Sequence, residues 1–196
     1  FTVALGGGNW QFKGAQANGV GTTALGSSTK TKVGTNYQTA IGFGATTEAE
    51  SALALGYNAA ASAQNAIALG RSASTAGQDA VALGSSSQAK GDSCLAIGNR
   101  AEANSNSVIS LGYQANNGAS NNTNGVAIGW AAGMQSNGLN NVGVGTNAGR
   151  QVIGNNNTSL GNGAGNIANT KIYTTKNLLK HFIKSFVFLS NCNKTS

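Results

Sequence analysis

The chain has 196 residues, of which only 9% are charged, with no proline and 29 glycines. That composition is poor in the acids, bases and nucleophiles an enzyme needs, and it would suit a disordered linker were its apolar residues not strictly periodic. The net charge of +7 is uneven, with +2 over residues 1–170 and +5 over 171–196. No basic array for a nucleic acid is therefore expected, nor a run of eighteen apolar residues that would cross a membrane as a helix.

The chain begins inside a repeat, Thr2-Val3-Ala4-Leu5-Gly6, without an initiator Met, so it reads as a fragment of a longer protein. The same small-apolar-Gly signature closes at Gly26, Gly42, Gly56, Gly70, Gly84, Gly98, Gly112, Gly129, Gly145 and Gly161. From Gly42 to Gly112 the spacing is fourteen residues throughout; outside that run it is 20, 16, 17, 16 and 16. A short period held this regularly marks a solenoid in which each repeat is one coil stacked on its neighbours. The predicted fold is all-β, a parallel β-roll of fourteen-residue coils over residues 1–168. Eleven coils at about 4.8 Å each would give a rod on the order of 50 Å long.

Between Gly6 and Gly26 an insertion carries Trp10 and Phe12. It must loop out of the roll, either as a contact site or folded back over a neighbouring chain. Each signature then alternates large, small, large: Leu53-Ala54-Leu55, Ile67-Ala68-Leu69, Val81-Ala82-Leu83, Leu95-Ala96-Ile97, Ile109-Ser110-Leu111, Val126-Ala127-Ile128. This is a strand of period two. The large pair is expected to point into the coil's interior. The small residues Ala54, Ala68, Ala82, Ala96, Ser110 and Ala127 would then face outward, against another chain. A thin alanine-rich coil buries too little to offset the ordering entropy of about 1–2 kcal/mol per residue, so association is expected on energetic grounds.

Three and five residues after the glycine come small residues, such as Ala59/Ala61 and Ser87/Ala89, with a mostly polar residue between them. This predicts a second short strand, small side inward and polar side to water. Gly19, Gly34, Gly77 and Gly91 lie near the following turn, where positive φ is expected. The residue just after the signature glycine is often aromatic (Phe43, Tyr57, Tyr113, Trp130), with Arg71 between. Such a ladder either binds a partner or cements one coil to the next. The closing repeats, Gly129-Trp130-Ala131-Ala132-Gly133 and Gly145-Thr146-Asn147-Ala148-Gly149, belong to longer, Asn-rich coils.

Residues 169–196 break the period. Leu178, Leu179, Phe182, Ile183 and Phe186 have helical spacing, with Lys180 and Lys184 on another face. The segment reads as a basic amphipathic helix or as a degenerate terminus. His181, the single histidine, lies there, and five acids spread over four coils offer no paired carboxylates. No catalytic, metal or cofactor site is expected. Cys94 stands where other repeats have Ala66 and Ala80, so it is expected as a buried, inert thiol.

Asn65-Ala66-Ile67-Ala68-Leu69-Gly70-Arg71-Ser72 and Asn124-Gly125-Val126-Ala127-Ile128-Gly129 resemble the head repeat of trimeric autotransporter adhesins of the YadA type, approximately Asn-Ser-Val-Ala-Ile-Gly-x-x-Ser. The resemblance implies a left-handed β-roll, a homotrimer about a common axis, and display on a bacterial outer membrane. The partner it implies is a host extracellular-matrix protein or a cell-surface glycan. The candidate adhesion surface is Trp10, Phe12, Tyr57, Arg71, Tyr113 and Trp130. The longer closing coils also resemble phage tail-fibre repeats, so a fibre or structural spacer is the alternative reading. The neck, stalk and anchor of the family are not among these residues, so no membrane insertion by this stretch is expected.

Overall fold

The computed structural model describes residues 1–9 and 11–166. Trp10 and the atypical tail, with its amphipathic spacing from Leu178 to Phe186, lie outside the described residues, as does the expected boundary at residue 168.

Eleven three-residue strands, from Val3–Leu5 to Thr158–Leu160, stack in sequence order into one parallel sheet. Every predicted signature is one of these strands, paired in register with its neighbours: Ala54 with Ala68, Ala68 with Ala82, Ala82 with Ala96. Six two-residue strands, Lys30–Thr31 to Glu102–Ala103, form the second sheet at the predicted positions. No helix occurs among the described residues. Each coil is strand, turn, strand, turn, and the molecule is a parallel β-solenoid.

The in-and-out assignment of the long sheet is the reverse of the expected one. Ala54, Ala68, Ala82, Ala96, Ser110 and Ala127 are fully buried inside their own coil. They meet Thr47, Ala61, Thr75, Ala89 and Ala103, which point in from the second sheet as predicted. The interior is a set of small-residue columns packed as one cluster along the roll. Its largest side chains in the fourteen-residue coils are Val108 and threonines. The two sheets lie so close that a Leu or Ile between them would overpack the coil. The large flanking residues are driven outward, where Leu55, Leu83, Ile109 and Leu111 remain about 40% exposed. The small residues are therefore core, and they cannot be the contact with another chain.

The signature glycine turns the chain between the sheets. At Gly70, φ is +135°, and a Cβ there would stand 2.5 Å from the carbonyl oxygen of Gly84 in the next coil. The glycines form a column in which each donates its N–H upstream: Gly70 to Leu55, Gly84 to Leu69, Gly98 to Leu83, all at 2.8 Å. The second turn differs from expectation. Gly19 and Gly34 have positive φ, but Gly77 and Gly91 do not. Their coils place Asp79 and Ser93 in the left-handed region instead. Polar residues that tolerate this conformation, above all Asn, Asp and Ser, recur at that point: Ser51, Asn65, Ser107. At Gly77 the glycine serves close approach, since a Cβ would overlap the Gly91 carbonyl.

Coils longer than fourteen residues solve a filling problem. Four residues before the signature glycine, the fourteen-residue coils carry Ala52, Ala66, Ala80, Cys94 and Val108, all buried. The sixteen-residue coils place amides there: Gln38, Asn141 and Asn157. Gln38 donates from Nε2 to the carbonyls of Lys32 and Thr35 at 3.0 and 3.1 Å, and accepts from the Lys32 N–H through Oε1. Asn141 and Asn157 donate to Gly154, and Asn157 also donates to the Asn141 side chain at 3.0 Å. An amide at this position bonds the backbone that the extra residues add, which would otherwise be buried without partners.

The change of width after Gly112 is bridged by polar groups. The Ser110 hydroxyl donates to the Glu102 carbonyl at 2.6 Å, Asn116 donates to Ser110 at 2.8 Å, and Asn122 donates to Asn116 at 3.2 Å. Outside the roll, the Glu102 carboxylate accepts from Asn104, Asn117 and the Gly118 N–H. Ser110 breaks the alanine column because it must reach the first widened coil.

Cys94 is buried, donating to the Ala103 carbonyl at 3.4 Å. Desolvation chiefly, with Asp92 adding to it, pushes its pKa up to about 11. Two outcomes follow. Ala82→Arg forces a charge into a methyl-sized space, so it should abolish the cooperative melt of the β-type circular dichroism rather than only separate subunits. Cys94 should resist alkylation at pH 8 in the native protein and react once it is unfolded. The folded pKa is raised, so the thiol's contribution to stability is complete below about pH 8.5. It declines as pH rises toward 11, which thermal melts of Cys94→Ala against the unmodified chain would read.

Candidate interaction surface

Two features of the outer surface run the length of the roll. The first is the outward face of the long sheet. Its two ridges come from the first and third residues of each strand. The third-residue ridge is Leu5, Leu25, Ile41, Leu55, Leu69, Leu83, Ile97, Leu111, Ile128, Val144, Leu160: one aliphatic residue on every one of the eleven strands. The first-residue ridge is aliphatic except at Thr23, Thr39 and Thr158. In-register pairing sets successive ridge residues about 4.8 Å apart. Single exposed aliphatics are normal on a soluble protein, whereas a continuous strip this long is a candidate interaction face.

The second feature is the column just after the signature glycine, bordering the aliphatic face at its turn. The backbone carbonyls there are hydrogen-bonded by the coil above: Tyr57 by Ser72, Arg71 by Ser86, Tyr113 by Ala131, Trp130 by Asn147, each at 2.8 Å. Tyr57, Arg71, Tyr113 and Trp130 thus lie along one edge, as the spacing predicted, and all are exposed. The rings fall into two groups. Phe43 stacks on Tyr57 with centroids 5.6 Å apart, and Phe12 packs edge-on against Phe43 at 5.0 Å. Tyr113 and Trp130 stack at 6.2 Å. Arg71, Ser85 and Asn99 separate the groups.

The insertion loop is pinned rather than free. The Asn9 side chain accepts the N–H groups of Gln11 and Phe12 at 2.9 and 2.8 Å, and the Asn9 N–H donates to the Phe12 carbonyl. Phe12 is thereby laid on its own chain's Phe43, which favours folding back over free display. The large-small-large alternation alone puts these aliphatic residues in the core, and the burial of the alanines between them is what makes them surface.

Among the described residues no three of His, Cys, Asp and Glu gather as a metal site, and no helix is long and apolar enough to cross a membrane. A solenoid of near-identical coils with an in-register glycine column is the geometry that the Asn-x-Val-Ala-Ile-Gly pattern encodes. The family model described as the YadA head domain repeat matches residues 13–31, 39–59, 48–73, 61–87, 76–101 and 89–115. The chain belongs to the YadA head repeat family. No curated protein matches it. The matched copies run from the pinned loop to Ala115 and include every fourteen-residue coil, while the widened coils beyond Ala115 continue the same sheet. YadA head repeats are a structural and adhesive family, and the surface they imply is an exposed one.

Removing one ring should separate packing from display. Phe12→Ala loses an edge-to-face pair worth about 0.5–1.5 kcal/mol. Amide exchange at residues 11–15 should accelerate several-fold, with the coils beyond Gly56 unchanged.

Proposed function

We propose that the chain is the head module of a trimeric surface adhesin, in which three copies pack their aliphatic sheet faces about a common axis. The observation that supports this is the unbroken aliphatic ridge. Between the two end coils these side chains are at most about 40% exposed, so covering one contributes about 0.5–1 kcal/mol and eleven contribute roughly 5–10 kcal/mol per chain. That is comparable with the roughly 4–15 kcal/mol cost of association. The aliphatic ridges replace the small residues Ala54, Ala68, Ala82, Ala96, Ser110 and Ala127 as the proposed subunit contact.

The aromatic column then lies at the rim of that contact, one copy on each of three edges. Trp10, Phe12, Tyr57, Arg71, Tyr113 and Trp130 are the proposed adhesion surface, facing a host extracellular-matrix protein or a cell-surface glycan. Aromatic and Arg side chains bury much area at little entropic cost. Threefold repetition would raise a weak single-site affinity through avidity.

Sedimentation of the chain at micromolar concentration should give a trimer. Leu83→Lys with Ile97→Lys should give a monomer that keeps its β-type circular dichroism, since neither side chain is in the core. A monomer in the unmodified chain would sink the proposal. In a matrix-protein and glycan screen, Tyr113→Ala with Trp130→Ala should weaken binding at least tenfold. Unchanged binding by an intact trimer would move the site to the polar sheet around Gln88 and Glu102.

A further inference from the structure

The widened coils enclose a small internal cavity with room for the centre of a water molecule over about 10 Å³, lined in part by Asn122, Ser136, Asn141, Gly143, Val152 and Ser159. That volume is about the size needed for one water. Three of these residues carry a buried oxygen without a hydrogen-bond partner: Asn122 Oδ1, Ser136 Oγ and Ser159 Oγ. Asn122, Ser136 and Ser159 are 4%, 1% and 3% exposed. Each such oxygen costs about 1–3 kcal/mol if left unpaired. The Asn122 amide lies against Gly125 in its own coil, two rungs of about 4.8 Å from Ser159, so the Ser136 and Ser159 hydroxyls, in adjacent coils, are the pair that one water can join.

The cause is visible in the coil lengths. In the fourteen-residue coils the alanine columns pack against one another. Beyond Gly112, two or three extra residues broaden the cross-section, and Gly143 replaces the alanine of the column. Gly143 cannot regain a methyl, because a Cβ would lie 2.6 Å from the Ala148 carbonyl oxygen. The backbone therefore closes on that side while the centre stays open.

We infer that this cavity is a hydration site, holding one ordered water between the Ser136 and Ser159 hydroxyls. The donor set selects water over a cation. It is two neutral hydroxyls, and no carboxylate lines the cavity to compensate a buried charge. Water can donate to one serine and accept from the other, which gives it the two partners that a buried water needs at least. Xenon, which enters dry apolar cavities, is not expected here.

The test is a crystal structure of the whole chain at about 1.5 Å, where surface waters are resolved. The expected result is a spherical peak at near-full occupancy, 2.6–3.2 Å from both hydroxyl oxygens. The same peak should vanish in Ser136→Ala with Ser159→Ala, a pair of changes that adds no bulk. An empty cavity, xenon uptake by the unmodified chain, or a direct bond between the two hydroxyls would each overturn the inference. Should crystals fail, water-to-amide nuclear Overhauser contacts at Gly143 and Ser159 decide it. They are expected in the unmodified chain and lost in the double variant, and their absence from the unmodified chain overturns it.

Discussion

Two parallel ladders joined by turns of a few residues face each other across a gap filled mostly by alanine, serine and threonine. The gap is narrow because the glycine turn is tight, and the turn is tight because glycine stacks on glycine: at Gly70 both φ and the nearby Gly84 carbonyl forbid a side chain. From that one constraint the rest follows. Alanine, serine and threonine go inside along the strands, and Val108, the largest buried side chain of the fourteen-residue coils, lies just before its strand rather than in it. Leu, Ile and Val, whose branching suits a strand, have only the outer face left. The result is a sheet whose bulkiest apolar side chains point away from its own core.

Such an inversion changes what stabilises the molecule. A buried alanine methyl removes little area from water, about 0.8 kcal/mol per carbon on the usual scale. The single chain must lean on its backbone ladder, where strand N–H and carbonyl groups are paired coil to coil at 2.8–3.0 Å. The larger apolar gain stays unrealised on the outside until another surface covers it. Low charge sharpens the point, since few ionic side chains interrupt the aliphatic ridges.

The sequence made the strands legible because period fourteen places every glycine in register, and register is what a parallel ladder needs. All eleven long strands and the six short ones fall where spacing put them. Which face was inside was not legible from alternation, because a large-small-large strand reads the same from either side. Gap width decides it, and gap width depends on turns whose stacking a linear reading does not measure. One cue to the interior does lie in the sequence: Gln38, Asn141 and Asn157 share one position relative to the glycine and occur only in longer coils. The aromatic edge was legible from spacing alone, whereas its division into two stacked groups was not.

That division bears on what the rings do. The Phe12–Phe43–Tyr57 group sits where coils of 20 and 16 residues give way to the first of fourteen. The Tyr113–Trp130 pair sits where fourteen gives way to seventeen, just beyond Glu102–Ala103, the last strand of the second sheet. Past that point, among the described residues, the second side of the roll keeps only isolated bridges, Ser120 to Asn137 and Asn137 to Ile153. Unequal coils cannot keep every ladder bond, and a pair of stacked rings supplies about 0.5–1.5 kcal/mol where bonds are lost. Within the uniform run, where the ladder is complete, Arg71, Ser85 and Asn99 occupy the same column without rings. The rings thus reinforce the seams of the solenoid, and the same placement leaves their edges open to a partner. A ring held by stacking on its own chain loses little entropy on binding, so cementing coils and presenting a rigid contact are compatible uses of one residue.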